Sequence, residues 1–257
     1  MSGAPAIRVR GARARHPGSP QDVFSAVELE LTAGETFALV GPSGCGKSTL
    51  LRALAGLQPL VAGTIERADP TRRPTLVLQK PALLPWLDVR ENVRLGHRFA
   101  ANRDAARRID ADELLRGFGI APLAARYPDE LSGGQQQLVA FARAIATDPD
   151  VLLLDEPFAA LDPATRRSMQ DWLRDLASER GQTTVLVTHD PDEALHLGHR
   201  VGLLRRGVPG IGPVWDAGRA ERCDLPDLPA RRELLALYET GVRARPAQAP
   251  TTTTAAA

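Results

Sequence analysis

The sequence predicts an α/β protein built around a parallel sheet, and three stretches carry that prediction. TFALV (36–40) is a short apolar run that leads straight into GPSGCGKST (41–49) and then into the helix-like STLLRALA (48–55). VLLLD (151–155) is a second apolar run, of the kind found in strands buried on both faces. From there the order strand, helix, strand, helix follows, which is what crossover helices on a parallel sheet produce.

Taken in chain order, residues 7–40 read as strand-rich. VFSAVELEL (23–31) alternates apolar and polar positions, as a half-buried strand does, and TAGE (32–35) is a turn. The helix at 48–55 stops at Gly56, and LVAGTIE (60–66) and PTLVLQ (74–79) are further strands. Residues 80–130 differ in character. ALLPWLDVRENV is punctuated by Pro81 and Pro85, and ANRDAARRIDADELLRGFGI (101–120) has helical periodicity with stops at Gly117 and Gly119. This block, at about residues 81–140, reads as a mostly helical insertion between strands of the parallel sheet.

A helix opens at Ser132 or Gly133 and runs to about Ile145. Asp162-Pro163 and Asp190-Pro191 each have the form of an N-cap followed by proline at the first helical position. Glu193, three residues past Asp190, completes the pattern of a capping box. Between these starts lie a helix at about 164–180 and the strand TTVLVT (183–188). RVGLLRR (200–206) is one more strand and RRELLALYE (231–239) a terminal helix. RARPAQAPTTTTAAA (243–257) has no core-forming pattern and reads as disordered, which leaves residues 1–242 as a single domain.

Bulk properties narrow the function. With 257 residues, 43% of them apolar and 25% charged, the chain can bury a substantial core and reads as soluble and globular. A formal net charge of +1 gives no global field to attract DNA, RNA or anionic lipid. Cys45 and Cys223 are too few for a disulfide framework and lack paired zinc spacing, which suits a reducing compartment. The N-terminus shows no leader pattern, and no apolar run approaches the about 18 residues of a membrane-spanning helix. The only lysines are Lys47 and Lys80, so Lys47 is not one of many surface lysines.

Residues 41–49 match G-x-x-x-x-G-K-[ST] completely, with a strand before and a helix after. Gly41, Gly44 and Gly46 let the backbone curl, and Pro42, Ser43 and Cys45 complete a cradle whose N–H groups point at phosphate oxygens. The helix that follows, beginning near Thr49, adds the partial positive charge of its N-terminus. Lys47 reaches the β- and γ-phosphates of a nucleotide, and the Ser48 hydroxyl coordinates magnesium. Asp155, at the end of an apolar strand, is placed to hold the magnesium directly or through water. Glu156 beside it can orient or deprotonate the water that attacks the γ-phosphate. His189 also follows an apolar strand, where a hydrogen bond to the γ-phosphate favours the transition state. Gln79 ends another strand, as a magnesium ligand or water holder. The bland readings of these features are a glycine-rich turn, an acidic strand end, a structural histidine and a plain helix start, and each weakens as the others accumulate.

Together these residues resemble the ATP-binding cassette family, specifically the nucleotide-binding subunit of a membrane transporter, over about residues 23–200. Residues 41–49 resemble its Walker A loop, and Gln79 the Q-loop glutamine. LSGGQ (131–135) resembles its signature, and 151–155 with Glu156 its Walker B strand and catalytic glutamate. Residues 160–162, ending in Asp162, resemble the D-loop, and His189 the switch histidine. The resemblance implies a P-loop NTPase fold with a RecA-like mixed sheet core, an antiparallel N-terminal β subdomain and an inserted α-helical subdomain. It implies ATP and Mg²⁺ as cofactors. It also implies that Ser132, Gly133, Gly134 and Gln135 act in trans, capping a γ-phosphate held by another copy's Walker A loop. One chain carries one loop and one signature, so two copies arranged head to tail complete two sites.

Two positions depart from the family pattern. Leu138 stands where the family has arginine, and no aromatic residue precedes Phe24 to stack on adenine, which leaves His16 as the substitute. Trp86, between Pro85 and Leu87, is either core of the helical subdomain or part of a groove for a permease helix. LLPWLDVRENV, with the short C-terminal region, resembles the importer branch for nitrate, sulfonate, taurine and related solutes. The resemblance implies a separate transmembrane permease, indirectly a solute-binding protein, no nucleic acid, and a peripheral place on the cytoplasmic face of the membrane. The rival is a soluble cassette ATPase acting on DNA or ribosomes, for which tandem cassettes, a coiled-coil insertion or a strongly basic surface would be expected.

Overall fold

The computed structural model describes residues 5–99, 102 and 109–243 of the chain. Its centre is a six-stranded sheet in the order β5-β6-β7-β3-β8-β9, comprising β3 (Thr36–Val40), β5 (Thr75–Val77), β6 (Val151–Asp155), β7 (Thr183–Thr188), β8 (Arg200–Leu203) and β9 (Val214–Asp216). The first five are mutually parallel and β9 runs antiparallel to β8, so the sheet is mixed. Every residue of β3, β6 and β7 is buried, which is why these strands read as continuous apolar runs rather than alternating ones.

Successive side chains along these strands point to opposite faces and so build two cores. Phe37, Leu39, Leu153, Val185 and Val187 face one side, while Ala38, Val40, Leu152, Leu154 and Leu186 face the other. On the first side lie helix α1 (Lys47–Leu54) and a separate antiparallel sheet in the order β2-β1-β4, formed by β1 (Pro5–Arg15), β2 (Asp22–Thr32) and β4 (Ala62–Arg67). Ile7, Val9, Val27 and Leu31 on the small sheet are each at most 1% exposed. At about 1.5–3 kcal/mol per fully buried aliphatic side chain, this face ties the small sheet firmly to the central one.

The second core takes the helices: α2 (Val89–Arg94), α3 (Ala111–Gly117), α4 (Gly133–Ile145), α5 (Pro163–Arg180), α6 (Pro191–Leu197) and α7 (Pro229–Arg243). Phe141 sits between Phe118 and Phe158, with ring centroids 6.4 and 5.6 Å away, and so links α3 and α4 to the loop after β6. The insertion between β5 and β6 is helical, as the sequence pattern requires. Asp88 and Glu91 form a capping box on α2, and Asp110 caps α3. Parts of the expected 101–120 helix fall on residues 101 and 103–108, outside the described residues. So do residues 244–257 of the expected tail; Arg243 closes α7. Among the described residues no helix is long and apolar enough to cross a membrane.

Two sequence expectations need correction. Strand β9 has no alternation to announce it and was not expected. The capping box at Asp190 does not form: the Asp190 carboxylate takes the N–H groups of Asp192 and Glu193, but the Glu193 side chain turns inward to Gln170 instead of back to the cap.

Candidate nucleotide site

The C-terminal ends of β3, β6 and β7 lie side by side, and each delivers one part of the site. At the end of β3 the chain turns so sharply that a Cβ on Gly41 would collide with the Leu204 carbonyl. Gly46, with φ +106°, occupies a conformation that disfavours side chains, and a Cβ there would lie 2.9 Å from Val23 Cγ1. The turn folds around Lys47, which is 5% exposed and donates from Nζ to the carbonyls of Gly41 at 2.6 Å and Pro42 at 3.2 Å. Helix α1 starts here with Gly46 as its N-cap and no side chain on its first N–H groups. Those donors and the ammonium form a cationic cradle suited to phosphate. Cys45 packs inside the turn, and burial raises its thiol above the ordinary value, so it serves as packing rather than as a nucleophile.

β6 delivers Asp155, 5% exposed, whose Oδ1 accepts the Ser48 hydroxyl at 2.8 Å. Burial pushes this carboxyl above its usual range, a shift opposed by the Ser48 bond and reinforced by the nearby Glu156 charge. A buried, reluctant carboxylate beside a hydroxyl is a hard-oxygen pair that a divalent cation would favour in its ionised form. Among the described residues no cluster of three or more acidic, histidine or cysteine side chains is arranged for a metal. One carboxylate and one hydroxyl therefore fit an ion such as Mg²⁺, which takes few protein ligands and completes its shell with phosphate and water.

Glu156 follows at φ +46°, a strained position for a residue with a side chain, held by a hydrogen bond from its N–H to the Val187 carbonyl at 2.9 Å. Glu156 Oε2 accepts Gln79 Nε2 at 3.1 Å and lies 3.4 Å from His189 Nδ1, so residues from the ends of β5, β6 and β7 converge on one oxygen. The structure thus brings Gln79, Glu156 and His189 together beside the Ser48–Asp155 pair, with Lys47 in the adjoining turn.

The loop after Glu156 leads to Asp162, which N-caps α5 through the N–H groups of Ala164 and Thr165. The Thr165 hydrogen bonds are the main reason its carboxyl lies below the ordinary value. Arg166 donates to the Phe158 and Leu161 carbonyls and so braces the same loop. Ser132 N-caps α4, and here a capping box does form: Ser132 Oγ accepts from Gln135 N at 3.3 Å, and Gln135 Oε1 accepts from Ser132 N at 3.0 Å. Ser132 and Gly133 are exposed, and none of the hydrogen bonds of residues 132–135 reaches residues 41–49. Within one chain the signature and the phosphate loop are separate.

His16 lies in the exposed turn between β1 and β2, where its carbonyl accepts the Ser19 N–H and its ring has no hydrogen bond to the loop 41–49. Leu138 is buried in the helical core, and further along the same helix Arg143 donates to the Pro81 and Ala82 carbonyls. Sequence reasoning missed Arg143, and it missed Asn92. The Asn92 side chain is fully buried; its oxygen accepts Leu84 N and its Nδ2 donates to the carbonyls of Leu84, Leu87 and Asp88. That clamp shapes the 84–88 turn and presents Trp86, which is 69% exposed and therefore not core. Nearby, Pro81, Leu95, Phe99 and Ala140 line a groove of about 250 Å³.

A fully buried parallel strand, a phosphate-cradling turn, a lysine inside it and paired acidic residues at the end of another parallel strand of the same sheet define a nucleoside-triphosphate hydrolase of the α/β class. Residues 24–159 match the family model described as ABC transporter. The chain belongs to that family, as an ATP-hydrolysing nucleotide-binding subunit that works with a transmembrane permease. It is 45% identical over 202 residues to the aliphatic sulfonates import ATP-binding protein SsuB 3 of Paraburkholderia xenovorans (strain LB400), covering 79% of this chain and 78% of that protein. It is also 45% identical over 212 residues to the sulfate/thiosulfate import ATP-binding protein CysA of Xanthomonas campestris pv. campestris, covering 77% of this chain and 62% of that one. The dimeric structure of MJ0796, a bacterial ABC transporter cassette, superposes with a TM-score of 0.70 at 29% identity, over 82% of this chain and 98% of that one.

Proposed function

We propose that two copies of this chain, head to tail, hydrolyse ATP at two shared sites and drive import of a small solute of the sulfonate or sulfate class through a separate permease. The observation that carries the catalytic part is the convergence of Gln79 and His189 on Glu156 Oε2, beside the Ser48–Asp155 pair. In this reading a water held by Glu156 attacks the γ-phosphorus; its oxygen forms the new P–O bond while the bond to the ADP oxygen breaks. Glu156 accepts the water proton, and His189 positions the γ-phosphoryl group through a hydrogen bond. Lys47 and the N–H groups of the loop 41–49 stabilise the charge on the equatorial oxygens. Ser48 and Asp155, with Gln79 beside them, would hold a Mg²⁺ ion, which would supply positive charge to the phosphate groups.

Ser132, Gly133, Gly134 and Gln135 cap the γ-phosphate of the facing copy. Support comes from their exposure and from their purely local bonds, which leave the helix start open to an anion. Asp162 anchors the adjoining loop, and His16 stands beside adenine on the β1–β2 turn. The permease docks at Trp86 and the groove lined by Phe99, since a large exposed aromatic set by a buried polar clamp suits an interface better than solvent. A solute-binding protein delivers the solute on the far side, this subunit sits on the cytoplasmic face of the membrane, and no nucleic acid takes part. The choice of solute rests on the names of the relatives.

The test is steady-state hydrolysis by Glu156→Gln. Turnover is expected to fall by about a thousandfold or more with ATP affinity retained, consistent with the loss of a group that acts on the reacting water. A variant that hydrolyses ATP at the parent rate would overturn the role of Glu156. The direction of transport is tested in proteoliposomes holding the permease, where ATP on the subunit's side of the membrane must drive solute toward that same side.

A further inference from the structure

Helix α6 begins directly after His189, and its first turn holds a carboxyl group that packing does not require. Glu193 is 7% exposed, and its carboxylate accepts Gln170 Nε2 from α5 at 2.8 Å. The Glu193 N–H donates to Asp190 Oδ1 at 3.2 Å. Thr188 Oγ1 in turn accepts the Asp190 N–H at 3.0 Å, and Asp190 caps α6. His189 therefore stands between two residues fixed by one short chain of hydrogen bonds that ends on Glu193. On its other side Glu193 is tied to α5, the helix capped by Asp162 at the end of the loop that starts at Glu156. A cavity of about 80 Å³ is lined by Glu156, Ala159, Arg166, His189 and Glu193, so both carboxyl groups face the same space.

The charged groups around Glu193 offset its charge only in part: Arg166 favours the ionised form, yet the carboxyl's proton affinity still rises. Asp190 and Asp192 on α6 and Glu156 at the end of β6 are acidic. Arg166 of α5 is committed to the Phe158 and Leu161 carbonyls, and Arg231 of α7 is paired with Asp192. Burial pushes the Glu193 carboxyl up to about 7, with the Asp190 charge adding to the rise. A leucine or a glutamine would fill this position at less cost to the fold.

We propose that Glu193 is a positioning residue for hydrolysis: its carboxyl group ties α5, and with it the loop from Glu156 to Asp162, to the start of α6 and thereby to the Asp190–Thr188 pair that flanks His189. The proposal rests on the ATPase reading above. Ionised, Glu193 accepts from Gln170 with charge-assisted strength. Protonated, it gives up acceptor capacity, and the link between the loop and His189 slackens.

The experiment is steady-state ATP hydrolysis by the full-length chain from pH 6 to 9, for the parent, Glu193→Gln and Thr188→Val. At pH 8 Glu193→Gln is expected to lower kcat about tenfold, because small misplacements of reacting groups carry losses of that order or more, while KM for ATP stays within about twofold. The parent's advantage should shrink as pH falls through about 7, and the melting temperature of the variant should be no lower than the parent's. Thr188→Val should lose kcat similarly, since it cuts the same link without removing the acid. Parental kcat for Glu193→Gln at every pH overturns the proposal; should that variant fail to fold, parental kcat for Thr188→Val does so. A parent without ATPase activity, or a Glu156→Gln variant at the parent rate, sinks the underlying reading instead. An active parent, an inactive Glu156→Gln and a parental Glu193→Gln sink only this inference.

Discussion

Replacing Glu193 by glutamine should stabilise the fold, and by an amount that grows with pH. The carboxyl is 7% exposed and its affinity for a proton is raised from the ordinary 4.5 to about 7, chiefly by burial. The folded state therefore binds the proton more tightly than the unfolded state does. For an acid shifted in this direction, the neutral form is the one the fold tolerates. Below about pH 4.5 both states are protonated and the carboxyl costs nothing extra; as pH rises through 7 the fold must carry a buried charge. Each tenfold change in proton affinity is about 1.4 kcal/mol, so the full penalty is about 3 kcal/mol, as an order of magnitude. Glutamine keeps the size of the side chain and cannot ionise. Thermal unfolding of the parent and Glu193→Gln should differ little at pH 5 and by up to about 6–12 °C at pH 8, taking about 2–4 °C per kcal/mol for a domain of this size. A difference that is the same at pH 5 and pH 8, or a variant that melts below the parent at pH 8, would refute the reasoning.

Two further outcomes follow from the geometry. Gly46→Ala places a Cβ at φ +106° and 2.9 Å from Val23 Cγ1, so thermal unfolding should show a loss of about 1–3 kcal/mol, and equilibrium titration should show weakened ATP binding. Trp86→Ala removes a 69% exposed side chain; unfolding should stay within about 0.5 kcal/mol of the parent while co-purification with the permease is lost. Retained co-purification would take Trp86 out of the interface.

The parts of the site legible in the sequence are those where backbone geometry dictates residue type. Gly41 and Gly46 stand where no Cβ fits, Lys47 follows at fixed spacing, and Asp155 ends a strand whose burial on both faces forces an unbroken apolar run. Glu156 was legible as Asp155's neighbour, but its strained turn, which brings it to Gln79 and His189, was not. Where one residue type serves two purposes, the sequence misleads. Asp190-x-x-Glu193 has the spacing of a capping box, yet the carboxyl is drawn inward by Gln170, a contact 23 residues away that no local pattern announces. Asn92 looks like any polar helix residue and is instead the buried clamp behind Trp86. Arg143 reaches the turn at Pro81 and Ala82, 62 and 61 residues back in the chain, a contact that no local pattern announces. Strand β9 has three residues and gains its identity from pairing with β8, not from its own pattern.

The exposed start of α4 and the phosphate cradle make no bond to each other within one chain, and the whole account turns on their meeting across two. The most direct measurement is the molar mass in solution of Glu156→Gln, by light scattering, with and without ATP and Mg²⁺. A doubling that requires ATP and disappears when Gly134 is replaced by aspartate is the expected result. A monomer that holds its ATP tightly, unaffected by that second substitution, would contradict it.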